Sequence, residues 1–152
     1  MRIKAAYILE VGTLTIGEVE LDSPKPTEVL VRMHAAGVCH SDLHTYKGEL
    51  RATPPLVLGH EGAGVVEEVG DQVTRVKPGD RIMVNWLPGC ETCPTCLSGR
   101  FNLCERLPET TFQALLLDGT SRLKTLYGIT LKHRLSAATM SEYIVIDEAS
   151  AV

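Results

Sequence analysis

Apolar residues in this chain fall mostly in short runs with the two-residue alternation, or the unbroken Val/Ile/Leu character, of β-strands. "AAYILE", "EVLVRMHAAGV", "GAGVVEEVG" and "DRIMVNW" are such runs, and turn signals such as "DSPKP", "TPP" and "KPGD" separate them. Pro24, Pro26, Pro54, Pro55 and Pro78 stand where strands should end, because proline has no N–H to give to a ladder. "PLVLG" and the alternating "SEYIVID" add two further strands. The intervening "LPETTFQALLLDGTSRLKTLYGITLKHRLSAATM" shows no regular period. One short helix is expected, opening after Cys39 at "HSDLHTYKG". The pattern predicts a mainly β fold, a sandwich or small barrel, with no repeat or linker.

Length and composition set this pattern in a single domain: 152 residues, 44% hydrophobic and 22% charged, bury one core. A net charge of -4 with scattered lysines and arginines argues against nucleic acid as a partner. No apolar run approaches the ~20 residues of a membrane span, and the N-terminus has no signal-peptide core, so the expectation is a cytoplasmic protein away from membranes. Five cysteines in that setting point to metal ligation or reactive thiols rather than disulfides.

Four of the five lie in "CETCPTCLSGRFNLC", a C-x2-C-x2-C-x7-C pattern over Cys90, Cys93, Cys96 and Cys104. Four thiolates this close can surround one tetrahedral ion at about 2.3 Å, and a closed sulfur shell leaves no place for substrate. Structural zinc is the expectation, with an iron-sulfur cluster as the chemical competitor. The fifth, Cys39, follows a strand, as does His60 with Glu61 beside it; thiolate, imidazole and carboxylate at strand ends suit a second zinc. "GAGVVEEVG" begins like a dinucleotide fingerprint but lacks the third glycine and continues as a strand, so Gly62 and Gly64 are expected to permit close backbone packing.

"GVCHSDLH", "GHEGAGVVEEVG", "VKPGDRI" and the four-cysteine lobe, in that order, resemble the zinc-dependent alcohol dehydrogenases of the medium-chain dehydrogenase/reductase superfamily. "LLLDGTSRL" and "SEYIVID" are similar to the longer class I and class III members, which include glutathione-dependent formaldehyde dehydrogenases. The resemblance implies a GroES-like catalytic domain over residues 1–152: a partly open β-barrel with short helices and a zinc lobe at about 88–106. It implies that Cys39 and His60 hold a catalytic zinc, with Glu61 as an occasional ligand and Asp42 orienting the imidazole. Ser41 would hydrogen-bond the alcohol and His44 would pass its proton to solvent. Trp86 and Leu50 would wall the substrate pocket, and His40 would face the cofactor pyrophosphate where many relatives carry arginine.

Zinc makes an alcohol acidic enough to lose its proton near neutral pH, and hydride can then pass to a nicotinamide. A helical gap of three residues puts Ser41 and His44 on one face for that proton's exit. The resemblance further implies a Rossmann NAD(P)-binding domain and a third zinc-ligating cysteine, neither of which lies in these residues, and a homo-oligomeric full enzyme acting on alcohols and aldehydes. The expected state of this catalytic domain alone is inactive, with its lobe zinc retained and its Cys39/His60 site under-occupied. The alternatives are a zinc-stabilised GroES-like interaction domain and a zinc-free quinone or enoyl reductase. His34 is expected to be a sheet residue and His133, in "LKHR", a solvated one.

Overall fold

In the computed structural model, which describes residues 1–50 and 53–152, the N-terminal segment forms a hairpin of β1 (Arg2–Ile8) and β2 (Leu14–Leu21), paired from Arg2 with Glu20 to Ile8 with Leu14. β3 (Glu28–Ala36), helix α1 (His40–Tyr46), β4 (Leu56–Val57), β5 (Gly62–Val69) and β6 (Arg81–Met83) follow. A second short helix, α2 (Pro94–Leu97), lies in the cysteine lobe, and β7 (Leu123–Thr125), β8 (Thr130–His133) and β9 (Tyr143–Asp147) complete the set. β1, β2, β7, β8 and β4 close into a barrel, with the two-residue β4 making the last seam; the other four strands form a sheet in the order β6-β5-β3-β9. Among the described residues no helix is long and apolar enough to cross a membrane.

β3 and β9 explain how barrel and sheet join. Their apolar runs are continuous because both faces are covered. Leu30 and Val145 pack into the barrel core with Ile3, Val19, Val57 and Leu131. Val29, Val31, Ile144 and Ile146 pack instead with Val66 and Ile82 in a second core behind the sheet. Each such side chain taken fully from water contributes roughly 1.5–3 kcal/mol. The glycines of β5 serve this packing as expected: a Cβ on Gly64 would strike the Arg32 carbonyl of β3, and one on Gly62 would meet Thr139 at 3.0 Å.

A buried ion network ties the start of β3 to the barrel. Arg122 Nη2 donates to Glu28 Oε1 at 2.5 Å and to Asp118 Oδ2 at 2.6 Å, while its Nε donates to Glu28 Oε2 at 2.9 Å. Burial alone would raise the Asp118 carboxyl, but the bonds from Lys25, Thr120 and Arg122 outweigh it and hold it well below the usual carboxylate range. His133 belongs to the same region, which corrects the expectation of a solvated residue. Its side chain is fully buried and its Nε2 accepts the Arg122 backbone N–H at 3.0 Å, because β8 alternates and places Leu131 and His133 inward. Burial, and then the nearby Arg122 cation, push its pKa down to about 3. His34 is exposed beside the bulge between Met33 and Ala35 in β3.

Candidate metal centres and the cleft over one of them

The lobe is built on short-range backbone geometry. Pro94 opens α2, where its missing N–H costs nothing, and Cys93 caps the helix by accepting the Cys96 N–H on its sulfur at 3.4 Å. Cys90 Sγ accepts the Cys93 N–H at 3.4 Å, and Cys104 Sγ accepts those of Cys90 at 3.3 Å and Arg106 at 3.5 Å. N–H groups aimed at sulfur favour thiolate. Burial would raise the Cys90 thiol, yet hydrogen bonds from Thr92 and Cys93 bring it down to about 6. Cys96, the more deeply enclosed, is pushed up to about 12 by burial. All four sulfurs lie within 4.8 Å of one another, where an ideal ZnS4 tetrahedron has edges of about 3.8 Å. The donor set fits zinc. Apart from the sulfurs, Leu87 and Leu107 are the apolar groups of the lobe's own cluster, so metal bonds would supply most of its order.

The second centre assembles from two segments. Cys39 is the N-cap of α1, with extended backbone, and its N–H donates to Asp42 Oδ2 at 3.2 Å. Asp42 Oδ1 accepts the Gly59 N–H at 3.2 Å, so one buried carboxylate fixes both the helix start and the loop carrying His60. Gly59 has φ +89°, and a Cβ there would lie 2.6 Å from the Met140 nitrogen; only glycine brings the loop this close. The His60 Nδ1 stands 3.4 Å from Asp42 Oδ1, an ion-pair distance, and makes no full hydrogen bond among the described residues. The pair still shapes both groups. Asp42 raises the imidazole pKa against the opposing effect of burial. Burial would raise the Asp42 carboxyl, but His60 and the N–H groups of Cys39 and Gly59 hold it below the usual range.

Ser41 Oγ lies 3.4 Å from Cys39 Sγ and 3.3 Å from His60 Nε2, and its hydroxyl lowers the Cys39 thiol pKa. Cys39, His60 and Glu61 present donor atoms within 4.8 Å of one another, a thiolate, imidazole and carboxylate set that fits zinc with room for a further ligand.

One cleft of about 790 Å³ opens over this centre. Of the residues predicted from sequence, Cys39, Ser41, Leu50, His60, Glu61 and Trp86 line it, and Trp86 meets the His60 ring edge-on at 6.1 Å. His40 and His44 lie outside it, their rings 4.5 Å apart and perpendicular, and His44 Nδ1 bonds the Glu49 carboxylate. Asp42 stands behind the ligands rather than in the cleft.

The remaining walls, Pro108, Phe112, Gln113, Arg134 and Leu135, come from the segment without sequence period. Leu135 (φ 49°), Ser136 (φ 56°) and Ala138 (φ 64°) adopt left-handed backbone, a cost of order 1–3 kcal/mol each for non-glycine residues. Ser136 holds that turn by donating to the Leu115 carbonyl at 2.6 Å, while its Oγ lies 2.8 Å from the Thr111 hydroxyl, which can donate to it. Arg134, 4% exposed, makes no side-chain hydrogen bond or ion pair among the described residues, and its Nε is buried without a partner.

Comparison with known proteins follows this geometry closely. The family model "Alcohol dehydrogenase GroES-like domain" matches residues 25–152. The alcohol dehydrogenase class-3 of Cereibacter sphaeroides is 46% identical over 97% of this chain and 40% of its own length. The S-(hydroxymethyl)glutathione dehydrogenase of Paracoccus denitrificans is 45% identical over the same shares. A crystal structure of an alcohol dehydrogenase zinc-binding domain protein from Burkholderia ambifaria superposes with TM-score 0.92 at 30% identity, over all of this chain and 41% of that one. The chain thus spans about two fifths of the length of the relatives it matches.

Proposed function

The chain belongs to the alcohol dehydrogenase GroES-like domain family, and on that premise we propose that it provides the zinc-holding, substrate-facing part of an enzyme that oxidises alcohols to aldehydes or ketones with NAD(P) as hydride acceptor. The observation that carries this reading is the convergence of Cys39, His60, Glu61 and the Ser41 hydroxyl at the floor of one cleft. Zinc held by Cys39, His60 and Glu61 would supply the Lewis acidity that makes an alcohol proton labile at neutral pH.

The chain's own residues do the rest. Ser41, within hydrogen-bond reach of both ligands, accepts the substrate hydroxyl proton at Oγ. His44, half-exposed and bonded to Glu49, receives protons at the solvent side, with His40 beside it toward the cofactor phosphates. Asp42 orients the imidazole from behind. Trp86 and Leu50 hold the apolar part of the substrate and keep water away. Cys90, Cys93, Cys96 and Cys104 of the lobe would hold a second zinc, structural in role. A Rossmann domain of the same protein supplies the nucleotide site, and five unpaired thiols suit the reducing cytoplasm.

The test is alcohol-dependent NAD(P)H formation by the full-length protein. Cys39→Ala is expected to reduce kcat/KM by at least about a thousandfold, since it removes a ligand on which the reaction depends. Unchanged turnover in that variant would overturn the reading.

A further inference from the structure

A buried cation without an anion is costly, and Arg134 is one on the wall of the cleft. Its guanidinium carries five donors and keeps its charge, yet no described side chain or carbonyl accepts from it. The anions nearby are otherwise engaged. Asp42 is bonded to the N–H groups of Cys39 and Gly59 and faces His60, while Cys39 and Glu61 belong to the metal-ligating set. Arg134 is also held in place rather than free to swing out. The left-handed turn that follows it is pinned by Ser136 to Thr111 and Leu115, and the preceding His133 N–H donates to the Ala114 carbonyl at 2.8 Å.

We propose that Arg134 is a specificity-determining residue that selects substrates bearing a carboxylate on an apolar body: hydroxy acids whose hydroxyl reaches the Cys39/His60 centre while the carboxylate pairs with the guanidinium. This rests on the functional reading above and names its substrate class. The chemistry matches the walls. Trp86, Phe112, Leu135 and Leu50 accept an aromatic or aliphatic skeleton, and the fork of a guanidinium is the geometry that binds carboxylate through two parallel bonds.

Trp86 lines the same cleft, and isothermal titration calorimetry reads binding there without any turnover. Titration of the zinc-loaded, full-length protein with 4-(hydroxymethyl)benzoate and with benzyl alcohol compares two ligands that differ by one carboxylate. The protein is expected to bind the acid about tenfold or more tightly than the neutral alcohol, the loss of one charge-assisted pair being of that order. Arg134→Gln is expected to bring that ratio below about two, and Arg134→Lys to keep part of it. Because the ratio is taken within each variant, a general loss of stability does not mimic the effect; Arg134→Met serves if the glutamine form does not fold. Equal affinity for the two ligands, a ratio unchanged in Arg134→Gln, or no measurable binding of either overturns the proposal. Oxidation of benzyl alcohol with no preference for the acid would leave the dehydrogenase reading standing and sink this one; preferential binding of the acid with no oxidation of either would do the reverse.

Discussion

The four-cysteine lobe and the Cys39/His60 centre gather metal-ligating side chains in opposite ways. The lobe takes all four ligands from fifteen consecutive residues and closes a sulfur shell in which N–H groups already point at the thiolates. The cleft centre brings together three potential ligands of three chemical kinds from two segments, held in register by one carboxylate, and leaves a side open to about 790 Å³ of space. A local, saturated site can only stabilise; a distributed, unsaturated one can act. The difference teaches that donor number, donor type and sequence separation together set a closed candidate metal site apart from an open one.

The largest effect should come from attacking the saturated side. Cys96→Ser is expected to abolish tight metal binding in the lobe, where a structural zinc contributes about 10–16 kcal/mol of binding free energy, and to open residues 88–106 to limited proteolysis. Metal analysis showing an unchanged lobe zinc would break the contrast. Next, Glu28→Gln leaves Arg122 half-paired in the interior, and unfolding titrations should show a loss of about 3–5 kcal/mol with both metal sites still filled. A change in metal stoichiometry would mean that the two sites depend on the frame more than their geometry suggests. Asp42→Asn should weaken zinc at the cleft by about 10–100-fold and leave the lobe alone, as competition with a chelator would reveal.

The smallest effect is one of pH. His133 titrates near 3 when folded and near 6.5 when unfolded, so its depressed value costs nothing above pH 6.5. Below that, the unfolded chain binds a proton the native state refuses, and stability should fall by about 1 kcal/mol between pH 6.5 and 5.5. His133→Gln should flatten this part of the stability profile; an equally steep loss in the variant would assign it elsewhere.

The sequence exposed the lobe almost completely because its chemistry is contiguous, and it exposed Cys39, His60 and Glu61 because each follows a strand with a legible end. It also placed the helix after Cys39 correctly. It concealed β7 and β8, three and four residues long, which offer too little length for a period to register. Phe112, Arg134 and Leu135 were hidden for a related reason. Their segment is ordered by left-handed turns and by bonds such as Ser136 to Leu115, which link residues 21 apart and leave no repeating pattern. His133 was obscured by its charged neighbours, although its two-residue spacing from Leu131 carried the signal. β2 escaped because Gly17 and an Ile16 that is 78% exposed blur its alternation.

β3 and β9 give one face to each of the two hydrophobic cores. Neither core can come apart while the other persists, since both would have to release the same two strands. The frame should therefore melt in one cooperative transition, with the slowest-exchanging amides in Val29–Val31 and Ile144–Ile146. The lobe packs on its own cluster outside that shared framework, so its opening and the loss of the fold should be separable events.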